Sequence, residues 1–548
     1  MSLPLLAVAV IAVLALGYRF YGGFVARQYR LDPATQTPAH THADGIDFVP
    51  TKPFYLFGQH FSAIAAAGPI VGPILACQQF GWLPCILWIT GGCVFIGAVH
   101  DFSALVASVR HGGGSMAEVV KANLGREAWL AILSFIWLAL IYVIVAFVDI
   151  TANTFVKGDE LRDMVPFNQG GAVALSSMLY LGLALVMGLC TRMKMPLWLA
   201  TLIFVPATGF VVWFGGEHST VLKLGWETWV LLILGYCFLA SLTPMWLLMQ
   251  PRGYLGGFVL YAALLVGVLG IFVGGFDIKQ PAFKGFTAAN GDTLFPFLFV
   301  TIACGACSGF HGLVCSGTTS KQIEREPHCH PIGYGAMLLE GFVALIALAT
   351  VMIVAPADAK VPPGALYAKG LGTFMHSVLG LDLTTATTFG AMALSTFIFD
   401  TLDSATRLGR YILQELFGVR SRVSGALATA ATVGMPVLFL LGSGSGGFQK
   451  FWTLFGTSNQ LLAALSLLAI AVWLRRSGKR SWFAAVPMGF VLIVTVVSLC
   501  LQVPNLWRSG VTSIAGINGA VSALLVALAA SLVGYGARAM RRSTTPVP

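Results

Sequence analysis

Charge-free apolar runs as long as a bilayer is thick recur along the whole chain. Residues 128–148, AWLAILSFIWLALIYVIVAFV, contain no charged side chain. About 20 apolar residues in a helix cross the hydrocarbon core, where only helices and closed barrels satisfy every backbone hydrogen bond. Of 548 residues, 57% are hydrophobic and 10% are charged, against about 25% charged in a soluble domain. The sequence therefore predicts an all-α polytopic membrane protein.

Charge sets the expected orientation. Hydropathy predicts about fifteen spans, and the first, residues 3–22, lacks the basic start of a secretory signal. With the N-terminus outside and the C-terminus cytoplasmic, most of the 32 Lys and Arg fall in inside loops, as the positive-inside rule requires. The net charge of +10 thus reflects orientation, and no nucleic-acid partner is expected. The expected partners are the lipid bilayer and a small-molecule substrate, and the oligomeric state stays open.

Two Gly-Pro pairs interrupt the second predicted span, residues 55–80. Gly68-Pro69 and Gly72-Pro73 lie in its middle, and both residue types weaken a helix. Freed backbone groups are tolerated at membrane depth only where protein or a water-filled cavity receives them. The interruption is therefore either a kink or part of a binding site. If Pro73 opens a second half-helix, the amides of Ile70, Val71, Gly72 and Ile74 are expected to attract a carboxylate.

A second interruption is expected in the seventh span, residues 228–249, where Ser241, Thr243 and Pro244 lie in an apolar run. The seventh span lies five spans after the second, so the two cross the membrane in opposite directions. Paired broken helices in inverted halves mark the binding site of many secondary transporters. We expect a five-plus-five inverted-repeat transport core over 55–420, with halves 55–215 and 228–420. Residues 1–54 would add a peripheral helix and a cytoplasmic loop, and 424–548 peripheral helices. The residues expected to bind substrate are Gly68, Pro69, Gly72, Pro73, Ser241, Thr243, Pro244 and Ser308.

The ninth span, residues 293–318, carries Cys304, Cys307, His311 and Cys315 on one helical face. A thiolate–imidazole metal site is one interpretation, but a rigid helix face places few of these ligands on one ion. Packing by small residues is the interpretation the sequence favours, and no metal ligand is predicted. Ser308 is a separate candidate. In an inverted arrangement this span would flank the first broken helix, where a hydroxyl could coordinate Na⁺ or contact substrate.

Ionisable residues inside predicted spans are functional candidates. His100 and Asp101 are either a structural pair or a functional one. Asp403 and Arg407 have the spacing of an i,i+4 ion pair, which would serve an inner gate or a plain helix end. Protonation of a desolvated carboxylate or histidine could couple transport to an ion, so H⁺ and Na⁺ both remain open. No cofactor or catalytic group is expected. The expected coupling and gating residues are His100, Asp101, His311, Glu340, Asp400, Asp403 and Arg407.

Four segments together resemble the carbon starvation protein A (CstA) family: FSAIAAAGPIVGPILA, AVHDFSALVASVRHGGGS, SLTPMWLLMQPRGYL and IACGACSGFHGLVCSGTTSKQIE, which begin at residues 61, 98, 241 and 302. The resemblance runs from about Tyr18 to Trp473. It implies a LeuT/APC-like transporter of the bacterial inner membrane that carries peptides or pyruvate, and similar proteins include proton-coupled pyruvate carriers.

The sequence therefore favours a secondary active transporter that imports small carboxylate-bearing nutrients by ion-coupled alternating access. A channel is the first alternative, although channels more often show rings of charges or repeated pore loops. A membrane-embedded metal-binding sensor or enzyme is the second. A sensor would need a soluble output domain, and no segment between the predicted spans is long enough for one.

Overall fold

The structure, a computed structural model, describes residues 2–44, 47–156, 159–162, 165–419, 421–510 and 513–541. Helices make up most of it. Strands β1 (Asp159–Arg162) and β2 (Val165–Asn168) form an antiparallel hairpin in which Asp159 lies opposite Asn168.

The α-helices follow one another in chain order. They are α1 (Leu3–Leu16), α2 (Gly23–Tyr29), α3 (Pro38–Thr41), α4 (Pro53–Ile64), α5 (Gly68–Phe80), α6 (Trp82–Gly92), α7 (Ala98–Arg110), α8 (Met116–Leu124), α9 (Arg126–Phe155), α10 (Gln169–Arg192), α11 (Leu197–Glu217), α12 (Trp226–Leu242), α13 (Met249–Val273), α14 (Leu294–Thr301), α15 (Gly309–Val314), α16 (Ala336–Met352), α17 (Pro363–Leu379), α18 (Leu383–Phe417), α19 (Arg422–Ser443), α20 (Phe448–Arg476), α21 (Trp482–Gln502), α22 (Asn505–Arg508) and α23 (Ile514–Arg541). Four π-helical segments, Gly17–Gly22, Cys93–Gly97, Cys315–Thr319 and His330–Gly335, continue or join these helices.

Within the described residues, 11 helices are long and apolar enough to cross a membrane, or 12 if the bent pair α4–α5 counts as one span. The chain is therefore a multi-pass membrane protein, but the expected count of about fifteen is not reached. The three remaining predicted spans fall on α12, which has 17 residues, on the interrupted α14–α15, and on the more polar α18.

Large apolar side chains on the outer helix faces fit this environment. On α11, for example, Trp198 and Leu202 are 68% and 66% exposed. Contiguous apolar surface of this kind is costly in water and favourable against lipid tails.

The chain divides into two compact units. The first contains the described residues of Met1–Leu5, Leu140–Gln280 and Ile346–Trp452. Its long helix α18 packs against α10, α12, α13, α17 and α19. Small residues allow the close packing: a Cβ on Gly372 would lie 2.6 Å from Thr387 Oγ1.

The second unit contains the described residues of Leu6–Ala139, Pro281–Leu345 and Thr453–Pro548. In it α5 packs against α6 and α14, and α7 packs against the π-helical segment that follows α15 and the one that precedes α16. An ion pair between the partly exposed Arg110 and the buried Glu326 connects the end of α7 with the segment before α16 and the loop after α2. Arg110 Nε and Nη2 donate to Glu326 at 2.6 and 3.0 Å, and the Asp32 amide donates to the same carboxylate at 2.8 Å.

Candidate functional site

Two interrupted helices lie in direct contact within the second unit. Residues 65–67 separate α4 from α5, with a bend of 45°, and residues 302–308 separate α14 from α15. A Cβ built on Gly68 would overlap Cys304 Sγ, and one on Gly72 would lie 2.6 Å from the carbonyl oxygen of Thr301. The backbones therefore approach as closely as glycine permits.

The first interruption lies one turn earlier than the sequence suggested. Because α5 begins at Gly68, Pro69 occupies its first turn, where proline costs no helical hydrogen bond. Pro73 is inside α5 and does not open a half-helix. The amides of Ile70 and Val71 bond the Ala67 carbonyl at 3.2 and 3.0 Å. The expectation that these amides are free for a ligand is therefore wrong.

Side chains from neighbouring helices satisfy the second interruption. Asn459 of α20 accepts from the Phe310 amide at 2.9 Å and donates to Ser308 Oγ at 3.1 Å. Trp88 Nε1 donates to the Ile302 carbonyl at 3.1 Å, and Cys93 Sγ donates to the Gly305 carbonyl at 3.1 Å. An interruption inside a membrane persists only when such partners receive its backbone groups.

Sequence reasoning missed Asn459 and Trp88. For Asn459 a signal was available. It lies in GTSNQ, residues 456–460, a run of polar residues inside the otherwise apolar span 450–474. Polar residues at membrane depth are candidates in their own right. For Trp88 the sequence offered no signal, because an indole inside an apolar helix is ordinary packing.

A chain of buried ionisable groups lies beside the second interruption. Asp101 binds two histidines: its Oδ1 lies 2.7 Å from His100 Nδ1 and its Oδ2 lies 2.8 Å from His311 Nδ1. His311 Nε2 in turn lies 3.2 Å from Glu340 Oε2. The side chains of Asp101, His311 and Glu340 are at most 1% exposed. Four residues predicted for coupling are thus brought together.

Glu340 is poorly satisfied in this cluster. Within the described chain neither of its oxygens has a hydrogen-bond partner, because the approach of Oε2 to His311 Nε2 meets the ion-pair distance but not hydrogen-bond geometry. His100 Nε2 likewise has no partner. Buried polar atoms without partners are rare in folded proteins and are often tied to function.

The cysteines of the ninth predicted span lie at and after the second interruption. Cys307 and Cys315 are buried, and Cys304 is half-buried at the interruption. In the part of the chain that the structure describes, no group of three or more His, Cys, Asp and Glu is arranged to hold a metal ion.

A second charged cluster lies in the first unit. Arg252 Nη2 lies 2.6 Å from Asp400 Oδ1 and 3.0 Å from Asp403 Oδ2, and Tyr236 donates to Asp403 at 2.9 Å. The expected Asp403–Arg407 pairing is not what forms. Arg407 instead donates to the carbonyl oxygens of residues 240 and 243, at 2.7 and 2.9 Å, where α12 ends.

Pro244 does not interrupt a span. Helix α12 ends at Leu242 and α13 begins at Met249, so Pro244 lies in the segment between two helices. Ser241 is buried at the end of α12, with its hydroxyl 3.3 Å from Thr429 Oγ1. Residues 241–244 belong to the first unit, whereas the segment that contacts residues 68–72 is 301–304 of the second.

A surface cavity of about 390 Å³ in the first unit is lined by Arg192, Trp246 and Tyr254, among others. It includes none of the residues predicted to bind substrate, whereas the interrupted helices combine close backbone packing with a neighbouring cluster that contains the unpaired Glu340 and His100 atoms.

Apolar helices of membrane length, interrupted helices in contact, and buried charged clusters define a polytopic membrane protein with an internal polar site. The family model "Carbon starvation protein CstA" matches residues 2–361 and 357–498. The chain therefore belongs to the carbon starvation protein CstA family, as its motifs indicated.

Curated relatives cover most of the chain. The "Peptide transporter CstA" of Campylobacter jejuni is 33% identical in an alignment that covers 90% of this chain and 79% of that protein. The "Pyruvate/proton symporter BtsT" of Escherichia coli is 32% identical in an alignment that covers 91% of this chain and 81% of that protein. The "Peptide transporter CstA" of Bacillus subtilis is 30% identical and spans 96% and 95% of the two chains.

Among solved structures, the crystal structure of the Eremococcus coleocola manganese transporter in complex with an aromatic bis-isothiourea substituted compound is similar, with a TM-score of 0.47 and 13% identity. It covers 91% of this chain and 99% of that one. Because the curated relatives are named as transporters, the chain is a membrane transport protein, and no enzyme activity is indicated.

Proposed function

We propose that the chain is a secondary active transporter of the bacterial inner membrane that imports a small carboxylate-bearing nutrient, pyruvate or a short peptide, by alternating access. The observation that carries this proposal is the contact between two interrupted helices, residues 65–67 and 302–308. Irregular backbone at membrane depth belongs where a cavity or solute receives its polar groups. The names of the relatives supply the two substrate classes.

The substrate carboxylate would lie at the start of α5, beside residues 67–68. A 13-residue helix presents its positive dipole end there. Ser308 and the half-buried Cys304 would line the opposite side, held by Asn459. Gly72 and Pro73 would act by close packing, since both are buried inside α5.

The transport core would be an inverted repeat with a revised pairing. Helices α4–α5 would open one half and α14–α15 the other. In the predicted order these are the second and ninth spans, and an odd offset gives them opposite directions. The close approach of Gly68 to Cys304 and of Gly72 to Thr301 supports this pairing.

Charge supports the proposed orientation, with the N-terminus outside and the C-terminus cytoplasmic. Most Lys and Arg then lie inside. Ion coupling, by H⁺ or Na⁺, would use the buried group around Asp101, and the Arg252–Asp403 cluster would serve as a gate in the first unit.

Uptake into proteoliposomes tests the function. Purified protein is supplied with labelled pyruvate or labelled dialanine under a proton gradient, a sodium gradient, or neither. A secondary transporter accumulates one probe above equilibrium in one gradient, and a protonophore or sodium ionophore abolishes the accumulation. Equilibration without accumulation in either gradient would refute active transport and favour the channel.

A further inference from the structure

Among the charged contacts of the described residues in the second unit, the bridge between His311 and Glu340 is distinguished by two buried partners that are imperfectly paired. Glu340 is 0% exposed and His311 1% exposed, with 3.2 Å between Oε2 and Nε2. Arg110 and Glu326, by contrast, form two well-made hydrogen bonds, and Arg110 remains partly accessible.

The protons of His311 can be counted from its other contact. Its Nδ1 lies 2.8 Å from Asp101 Oδ2, so a proton on Nδ1 makes this bond. In a neutral ring Nε2 then carries a lone pair. A lone pair facing an ionised carboxylate at 3.2 Å would be repulsive, and burial leaves no water to screen it. The close approach is therefore stable only when a proton lies on Nε2 or on the Glu340 carboxyl.

We propose that His311 and Glu340 together bind the exchangeable proton that drives transport. The assignment rests on the proposed function and names its coupling ion. The proton belongs to the pair, because such closely coupled groups titrate jointly. It enters from water on one side of the membrane and leaves to water on the other, and no other bond is made or broken.

Asp101 is a weaker candidate for the carrier. Both of its oxygens accept a hydrogen bond from a histidine, which stabilises the ionised form. Asp101 is a positioning residue that fixes the tautomer of His311. Glu340 has a single neighbouring donor among these groups, His311 Nε2 at 3.2 Å, and this contact falls short of good hydrogen-bond geometry.

Other titratable groups interact with this cluster from the neighbouring elements. His60 of α4 is bonded to Thr319 Oγ1 at 2.8 Å and lies 4.0 Å from the Cys315 thiol, and His100 of α7 is bonded to Asp101. The thiols of Cys93, Cys304 and Cys307 are within electrostatic range of Glu340. The thiols are neutral when buried, so the carboxylates carry the negative charge of the cluster.

The pair is mechanically connected to the interruption. His311 is the third residue of α15, which begins immediately after residues 302–308, and Glu340 is on α16. Loss of the shared proton would push α15 away from α16 and carry Ser308 with it. Proton binding and the shape of the substrate site would thereby depend on one another.

The Glu340→Gln variant tests the assignment. A glutamine amide donates permanently to the Nε2 lone pair, so it imitates the protonated carboxyl. In proteoliposomes with labelled pyruvate, and with labelled dialanine in a second series, wild type should accumulate one probe about tenfold per unit of pH gradient for one proton. The variant should accumulate neither, yet exchange internal for external substrate at a rate comparable with wild type and with a flattened pH profile. Glu217→Gln, which alters an exposed carboxylate at the end of α11, should behave as wild type.

Accumulation by Glu340→Gln equal to wild type would overturn the proton assignment while leaving transport intact. Loss of both exchange and accumulation in a Glu340→Gln protein that inserts normally would overturn the assignment as well, because the substrate site should survive the substitution. A wild-type protein that neither accumulates nor exchanges either probe would instead refute the proposed function itself.

Discussion

Replacing Gly72 by alanine tests the contact between the interrupted helices. In the interior of a helix alanine is favoured over glycine by roughly 1 kcal/mol, so α5 alone would gain stability. A Cβ at this position, however, would lie 2.6 Å from the Thr301 carbonyl oxygen and 3.4 Å from Ile302 Cα. Both are backbone atoms, which cannot rotate away. Overpacking of this kind costs about 1–3 kcal/mol, equivalent to about 5- to 150-fold in an equilibrium.

The assay is the initial rate of gradient-driven uptake, normalised to the amount of inserted protein. Gly91→Ala is the matched control, because Gly91 of α6 has no heavy atom within 4 Å of its built Cβ. Because the clashing atoms are backbone, the cost lies toward the upper end of this range, and subtracting the gain in α5 leaves a net cost of about 2 kcal/mol. We therefore expect Gly72→Ala to lose about 30-fold in rate and Gly91→Ala to keep the wild-type rate. A wild-type rate for Gly72→Ala would show that the two helices are not as close as described, or that their contact is unimportant.

Two further substitutions probe the polar contacts of each unit. Asn459→Ala leaves the Phe310 amide and the Ser308 hydroxyl without their partner, which should cost about 1–3 kcal/mol of stabilisation. Exchange kinetics should therefore show a raised KM in a protein that inserts normally. Asn459→Asp, which keeps the acceptor, should recover part of the loss. An unchanged KM would argue against a role for Asn459. Arg252→Met leaves buried Asp403 and its neighbour Asp400 without their cation, which should cost about 3–5 kcal/mol and lower the thermal denaturation temperature in detergent. Adding Asp403→Asn should restore part of that stability, and an unaltered denaturation temperature in Arg252→Met would contradict the pairing.

The membrane helices were largely predictable because hydropathy acts over lengths of about 20 residues. The predicted spans 83–108 and 424–442 lie within α6–α7 and α19. Helix α17 was not predicted, because its apolar residues are interspersed with glycines, Lys369 and His376. The β1–β2 hairpin was also missed, since its charged residues resemble an ordinary loop.

The site was predictable in composition but not in pairing. The Gly-Pro pairs located the first interruption, and intramembrane charge selected Asp101, His311 and Glu340. The second interruption was misassigned to Pro244 because proline gives a clear local signal, whereas residues 302–308 break the helix without one. Their conformation depends on tertiary partners such as Asn459 and Trp88.

The partner of Asp403 illustrates the same limit. Local spacing favoured Arg407, four residues along the same helix. Its guanidinium instead donates hydrogen bonds to the carbonyl groups at the end of α12. The cation that pairs with Asp403 is Arg252, which is distant in sequence. Long-range pairings of this kind are set by the fold and leave no periodic pattern in the sequence.

Alkylation of Cys304 tests most directly whether substrate binds where the two interrupted helices meet. Cys304 is half-buried beside Gly68, while Cys500 is exposed on α21 and provides an internal reference in the same molecule. Wild-type protein in liposomes is treated with a membrane-permeant maleimide, with and without saturating pyruvate or dialanine, and both cysteines are quantified by mass spectrometry. We expect one substrate to slow the labelling of Cys304 and leave that of Cys500 unchanged. Equal labelling of Cys304 in the presence and absence of a substrate that the protein accumulates would contradict this location.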